Sequence, residues 1–529
     1  MDKLPENKNT PESRLDCNPR KVMILGMSPM PFENDRKVYG PGIRTWQFVQ
    51  PLLEKGHRLC VCNYAIPSAY NGNFKSVFEN DFKYESTSGA FNKSGYTFEY
   101  NILEKKDFED PDILAEIFLR FNPECVAGCS FYPSHAASRM LKAVASPGGD
   151  RNNAESGLRQ ESHDVPFWAD LFGHVMTEAQ ARAFMDDEDS CLFHYWNSEY
   201  GIISAADIFS SVSDRQKYAL IGELGAAGRL NKFTSGYQFV YTVPCGMPEE
   251  EFVHEKNAIR GKNNIQDDDF IVLWTGGYNT WTDIDTLYEG LTMAMKKNPK
   301  IKFVSTGGEI PEQDVKTYPR FLKKIDGSDL KDNFIMNGWI AGRDVPNYYF
   351  EADIGINIDK DIYEVSLGSK SRILDWMRAG LAVLSSNVCE LTEIIEREKA
   401  GYTFKPGSPQ DLAQKILYLA ENRSELEETA IRGKKYGREN FNFKKTTERF
   451  QEWVQNPAYS PDASRQIRML LDREEAIKNL ELISTGQKKM IAQRDNRINE
   501  LELIVKKGFV YRLYGYLKII KRKLFFKKH

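Results

Sequence analysis

Short apolar runs that stop at glycine alternate with stretches of helical period, in two successive series along the chain. Lys21-Val22-Met23-Ile24-Leu25-Gly26 is apolar on both alternating sides, the pattern of a strand covered on two faces. Trp46 to Lys55 then sets Trp46, Val49, Leu52 and Leu53 on one helical face, and Gly56-His57 closes it before the strand Arg58-Leu59-Cys60-Val61-Cys62. A strand-helix-strand unit of this kind crosses over right-handed and builds a parallel sheet. The first series continues with strands at Cys125 to Gly128, Ala205 to Ser211 and Phe239 to Pro244. Its helices fall at Ile113 to Arg120, Ser134 to Ala145, Glu178 to Phe184 and Asp214 to Leu224. The second series starts at Phe270 to Thr275, which ends at Gly276-Gly277. It runs on through strands at Ile301 to Thr306, Phe334 to Trp339, Ile354 to Asn357 and Ala382 to Ser385. Thr282 to Lys297, Val345 to Ala352 and Ser371 to Ala379 are its helices. The pattern predicts an α/β chain of two Rossmann-like, doubly wound domains, residues 21–246 and 247–440. Ligands of such sheets sit beyond the carboxyl ends of the strands, where the glycine-bearing loops lie.

Composition supports several folded domains. The 529 residues are 41% hydrophobic and 28% charged, enough to bury a sizeable core. A net charge of -4 argues against a nucleic-acid partner. Eight cysteines occur without a Cys-x-x-Cys pair and read as reduced core residues, which places the chain in the cytoplasm. Residues 1–20 are polar and expected to be disordered, with no signal-peptide core, and residues 146–164 read as a mobile loop. No stretch approaches the roughly 18 apolar residues that span a bilayer.

The end of the chain changes character. Leu470, Ile477, Ile491, Ile498 and Val505 recur at heptad spacing, with Leu480 and Leu501 in the companion position. Residues 462–505 therefore read as a coiled coil that could join copies of the chain, or as a solvated single helix. The last 24 residues carry nine Lys or Arg and no acid, interleaved with aromatic and aliphatic side chains. Residues 506–529 suit an anionic membrane surface, with a nucleic-acid or protein contact as the alternative.

Transfer chemistry on a phosphorylated substrate needs fixed donors and positive charge at the phosphate. Gly368, Ser369, Lys370 and Ser371 form a small-residue loop before a helix, with Arg372 in its first turn. The loop can aim N–H groups at a phosphate, Lys370 and Arg372 can neutralise it, and Asp375 can accept from the two hydroxyls of a ribose. Alternatively, Asp375 complements the helix N-terminus and the two cations are surface charges. In the first series Asp170 and His174 lie four apart, so both could face the cleft. Asp170 is the first candidate for a base at an acceptor hydroxyl and His174 the second. The plain alternative is a helix cap and a surface histidine. Asp267-Asp268-Asp269 reads as a turn, and no bound metal or other cofactor is expected.

The segment Leu374-Asp375-Trp376-Met377-Arg378-Ala379-Gly380-Leu381-Ala382-Val383 resembles the donor signature of two-Rossmann (GT-B) glycosyltransferases, family 4 in particular. There a Glu, seven residues and a second Glu end in Glu-Ala-Met-Ala-Gly-x-Pro-Val. Asp375 takes the second, ribose-holding position. The first would fall at Leu367, with Glu364 the nearby carboxylate for the donor sugar. Gly40-Pro41-Gly42-Ile43-Arg44 is similar to the family's N-domain glycine loop, which assigns Gly42 and Arg44 to the donor side. Gly276-Gly277 begins the segment that usually supplies a diphosphate-binding Arg and Lys. Both are missing here, and Lys370 and Arg372 are the expected substitutes. Asn337-Gly338-Trp339-Ile340 is similar to the turn where the nucleotide base rests, which assigns Gly338 and Trp339. In this architecture residues 441–456 form a helix crossing back to the first domain.

The resemblance implies transfer of a sugar from a nucleotide sugar to an acceptor hydroxyl, with retention of anomeric configuration. Joined to the basic tail, it suggests a glycan or lipid-linked acceptor, as in envelope polysaccharide assembly, and a site on the inner membrane face. The departures from the family pattern motivate the alternative of a degenerate, membrane-tethered scaffold.

Overall fold

A computed structural model describes residues 18–33, 35–70, 74–86, 94–145, 165–311, 313–463 and 468–525. The expected disordered N-terminus, apart from its last residues, and the expected loop at 146–164 lie outside these residues. The chain divides into two units, residues 1–465 and 466–529.

The first unit holds two sheets. Eight strands build the first: β1 Lys21–Ser28, β2 Arg58–Ala65, β3 Val77–Ser86, β4 Ser94–Leu103, β5 Cys125–Cys129, β6 Phe167–Leu171, β7 Ile208–Ser211 and β8 Val240–Thr242, in the order β3-β4-β2-β1-β5-β6-β7-β8. All pairs are parallel except β3–β4. Six strands build the second, all parallel: β9 Phe270–Thr275, β10 Ile301–Thr306, β11 Phe334–Met336, β12 Ile354–Asn357, β13 Ala382–Ser386 and β14 Tyr402–Phe404, in the order β11-β10-β9-β12-β13-β14. Both reverse direction of growth at their first strand, so each has the crevice where such sheets bind ligands.

The apolar runs are continuous because both faces of each sheet are covered. Met23 and Leu25 of β1 enter one core with Val126 and Phe209. Val22 and Ile24 enter another with Trp46 and Phe48. Likewise Val272 and Trp274 of β9 lie in one core, and Ile271 and Leu273 in the opposite one.

The antiparallel β3–β4 edge is absent from the sequence-based expectation. Its strands carry exposed charges on one side, Glu79, Asp81 and Lys83 among them, so no continuous apolar run marks them. The returning segment is also different: two short helices, Phe443–Thr446 and Glu448–Gln455, replace the single expected one. Phe450 packs 4.8 Å from Phe48 and 5.3 Å from Trp168, which ties the segment to the first domain.

Asp462, expected to open the coiled coil, instead belongs to the first unit. It is buried and accepts from Arg229 Nε at 2.7 Å and Nη2 at 3.0 Å. The second unit is one helix, Arg468–Phe525, which runs through the expected boundary at 505 without a break. Among the described residues no helix is long and apolar enough to cross a membrane.

Candidate functional site

The Ser371–Ala379 helix follows β12 and ends where Gly380 adopts a left-handed φ of 79°, a conformation that glycine takes without strain. Ile373, Leu374, Trp376 and Met377 of this helix are buried, which leaves Ser371, Arg372, Asp375 and Arg378 on its half-open face. Its first turn carries no acid and its N-cap residue Lys370 makes no side-chain cap, an N-terminus that suits an anion.

Across from it, β9 and β10 end in glycines for a steric reason. A Cβ on Gly307 would lie 1.9 Å from the Gly276 carbonyl oxygen, so the two loops touch backbone to backbone. Gly276 itself holds φ at 92°. Arg372 lies over these loops. Its guanidinium sits 4.1 Å from the Trp274 ring centroid, and Nη2 donates to the Gly277 carbonyl at 3.3 Å. Nη1 is sealed from solvent with no partner among the described residues. Burial pushes the Arg372 pKa down, and a cation held this way is costly unless an anion meets it.

Lys370 is 9% exposed, with Nζ 3.6 Å from Asp359 Oδ2 and 5.3 Å from the Trp281 ring. Neither cation is a surface charge. Asp375 has no hydrogen-bond donor among the described residues, and burial raises its pKa to about 6 against the opposing pull of Arg378. It lies beyond the first helical turn, so it is not a cap.

The remaining donor-side residues lie around the same groove. Gly368 is glycine because a Cβ there would meet the Glu364 carbonyl oxygen at 2.7 Å. Ser369 is half-buried between the buried Gly368 and Lys370. Gly338 has φ 67°, and Trp339 Nε1 donates to the Glu309 carbonyl at 2.8 Å. A Cβ on Gly277 would lie 3.4 Å from the Trp339 ring and would overlap Ile310.

The first domain closes over this surface. A Cβ on Gly40 would stand 4.0 Å from Ser371 Oγ and 3.6 Å from the Phe172 ring. Tyr39 meets Trp339 edge-on at 5.3 Å, and the Gly342 N–H donates to the Arg36 carbonyl at 3.3 Å. Ser213 Oγ donates to the Leu367 carbonyl at 2.6 Å. Thr177 Oγ1 donates to Glu364 Oε2 at 3.3 Å, and Gln313 Nε2 donates to Glu178 Oε1 at 3.3 Å.

The half-buried Glu178 and the buried Glu364 thus meet across the interface. Burial raises Glu178 to about 7. Burial first and Glu178 second raise Glu364 to about 8, against the pull of Lys370 and Thr177. Both folded values exceed the ordinary 4.5, so the folded state holds extra protons. This stabilisation is complete below about pH 4.5 and is lost as pH rises through about 7 to 8. Glu178→Gln should therefore raise Tm by about 2 °C at pH 8.5 and leave it unchanged near pH 5. Parallel melting curves for variant and parent across that range would remove this coupling.

Several expectations for the first domain are corrected. Asp170 and His174 do not share a helix face, because Asp170 lies within β6 and His174 precedes the Val175–Asp186 helix. Asp170 is fully buried and accepts from Arg44 Nε at 2.9 Å, Arg44 Nη2 at 2.6 Å, Ser210 Oγ at 2.6 Å and the Ser130 N–H at 3.3 Å. Its oxygens are engaged by Arg44, Ser210 and Ser130 and closed to solvent. His174 Nε2 lies 2.9 Å from Glu223 Oε1, turned to the neighbouring helix. Arg44 has no donor left for a substrate: beyond Asp170, it donates to Gln47 Oε1 and to the Val243 and Pro244 carbonyls. Gly42 serves the chain's own packing, since a Cβ there would lie 1.9 Å from the Pro29 carbonyl oxygen.

The structure also brings in residues that sequence reasoning passed over. Trp274 supports Arg372, Asp359 pairs with Lys370, and Glu178 faces Glu364. Trp274 carried a signal, an indole at the last turn of a buried strand before Gly276-Gly277. Glu178 carried none, because its partner lies 186 positions away.

Comparison with known proteins agrees with this layout. Residues 269–422 match the family model described as Glycosyl transferases group 1. No curated protein matches. Sucrose-phosphate synthase of Thermosynechococcus elongatus is similar in structure, with a TM-score of 0.58 at 14% identity over 82% of this chain and 98% of that one. Anabaena HepE, solved with UDP-glucose, is similar at a TM-score of 0.55 and 11% identity, covering 82% and 99%. The α,α-trehalose-phosphate synthase of Burkholderia vietnamiensis gives 0.54 at 10% identity, covering 83% and 100%. At such identities these likenesses establish the fold, which is GT-B.

Proposed function

We propose that this chain, with a group 1 glycosyltransferase domain on a GT-B frame, moves a sugar from a nucleotide sugar to an acceptor hydroxyl. The observation that carries the reading is Nη1 of Arg372, sealed and without a partner among the described residues, beside a helix N-terminus whose N-cap residue gives no side-chain cap, at the inter-domain groove. A donor diphosphate completes both. Asp375, free of protein donors, receives the ribose hydroxyls, and the Gly338-Trp339 turn receives the base. Lys370 and Glu364 face the sugar side. Anabaena HepE was solved with UDP-glucose, which makes a uridine nucleotide the first donor to test.

Binding of the donor stabilises the native state by mass action. A thermal-shift screen of UDP-, GDP-, ADP- and CMP-sugars should show one raising Tm by several °C at about 100 times its Kd. No response to any nucleotide sugar, with no hydrolysis, would favour the scaffold alternative.

The likeness of residues 364–383 to the family signature supports retention of configuration, which the anomer of the product would check. The acceptor proton then passes toward the leaving phosphate rather than to Asp170. The basic, aromatic helix end supports an acceptor on a membrane surface. Between residues 506 and 524, Phe509, Tyr511, Tyr514 and Tyr516 are all exposed and alternate with Lys and Arg. Each basic residue near an anionic surface contributes about 1 kcal/mol. Deleting residues 506–529 should abolish co-sedimentation with anionic vesicles, and unchanged sedimentation would assign the attachment elsewhere. The upstream helical heptads support self-association by the same helix.

A further inference from the structure

We propose that His174, Glu199 and Glu223 form a binding site for one divalent transition-metal ion, a departure from the metal-free expectation. Three helices of the first domain supply them. His174 caps the Val175–Asp186 helix, Glu199 lies on Leu192–Ala205, and Glu223 on Asp214–Ala226. One ligand atom from each lies within 4.8 Å of the others. The three positions are far apart in sequence, so the grouping is made by the fold.

Two observations at this cluster point to a missing cation. Glu199 is only 4% exposed, and its carboxyl faces that of Glu223 and the imidazole. A buried carboxylate set against a second carboxylate is costly without positive charge between them. The His174 ring is partly buried, at 11% side-chain exposure, and its Nδ1 is sealed with no partner among the described residues. The contact of Nε2 with Glu223 orients it, at 2.9 Å.

One imidazole nitrogen and two carboxylates suit Zn2+, Mn2+ or Co2+. Ca2+ and Mg2+ prefer larger sets of oxygen ligands or retained waters. Three protein ligands leave positions for water. The role is structural. The cation joins the turn after β6 to two further helices, and that turn carries Phe172, which abuts Gly40 and lies 5.5 Å from the Arg44 guanidinium. Occupancy therefore holds one wall of the groove and takes no part at the donor phosphates.

The test uses the full chain stripped with a chelator, then titrated with ZnCl2, MnCl2 and MgCl2 by calorimetry and thermal shift. Co2+ absorption serves as an independent readout. ZnCl2 or MnCl2 should bind at about one ion per chain and raise Tm, with MgCl2 much weaker. His174→Ala and Glu223→Gln should each weaken binding at least about tenfold and alter the Co2+ spectrum. The proposal is overturned if the parent takes up neither ion at submillimolar concentration, or if both variants bind as the parent does. A Glu199→Gln variant that raises Tm in the chelated protein, while the parent ignores added ions, would show a shared proton in place of a metal.

Discussion

Replacing Arg372 with alanine is expected to lower kcat by about 10²- to 10³-fold with the cognate nucleotide sugar, without lowering Tm. The two halves of that expectation have one cause. In the free protein the guanidinium lies on Trp274 with one donor to Gly277 and a sealed, unpaired Nη1. Its burial is a cost to folding, so truncation relieves the fold while it leaves the diphosphate uncompensated. A donor aimed at developing phosphate charge in a closed groove acts most strongly in the transition state, so kcat suffers more than KM. Arg372→Lys should recover only part of the rate, because an ammonium cannot both stack on the indole and bridge to the loop. A kcat within about threefold of the parent, at unchanged fold, would sink the assignment.

The Arg44–Asp170 pair predicts the opposite signature. Arg44→Ala should destabilise the protein by about 3–5 kcal/mol, measured by urea unfolding, because Asp170 is left charged and buried. Asp170 is fully buried and Arg44 is 1% exposed, so no water replaces the lost partner. The guanidinium also links the first helix to the Val243 carbonyl, which would lose its side-chain donor, while Gln47 would keep the Pro244 carbonyl at 2.8 Å. Arg44→Met combined with Asp170→Asn should recover part of the loss, since removing both charges removes the desolvation penalty. Activity per folded molecule should persist in the Asp170→Asn variant. A folded, stable Asp170→Asn protein without turnover would restore Asp170 as the base and overturn the structural role.

The two residue pairs separate what is local from what is not. The central strands of both sheets were legible because a strand covered on two faces must be apolar throughout, and β1 and β9 show it residue by residue. The glycine stops were legible for a similar reason, and Gly276 and Gly307 prove to be places where backbone meets backbone. The long helix was legible from its period alone. Those features depend on neighbours within a turn or a strand, and the one-dimensional string records such neighbours directly.

Charge partners are another matter. Arg44 and Asp170 are 126 positions apart and meet only because β5 pairs with β1 on one side and β6 on the other. Lys370 and Arg372 read equally well as surface charges until packing encloses them. Glu178 finds Glu364, and His174 finds Glu199 and Glu223, through helices that the sheet order places side by side. Sequence periodicity set the elements and the loops where a ligand would lie. Tertiary structure alone decided which ionisable groups lost their water, and with it which of them hold the fold and which are left to hold a substrate.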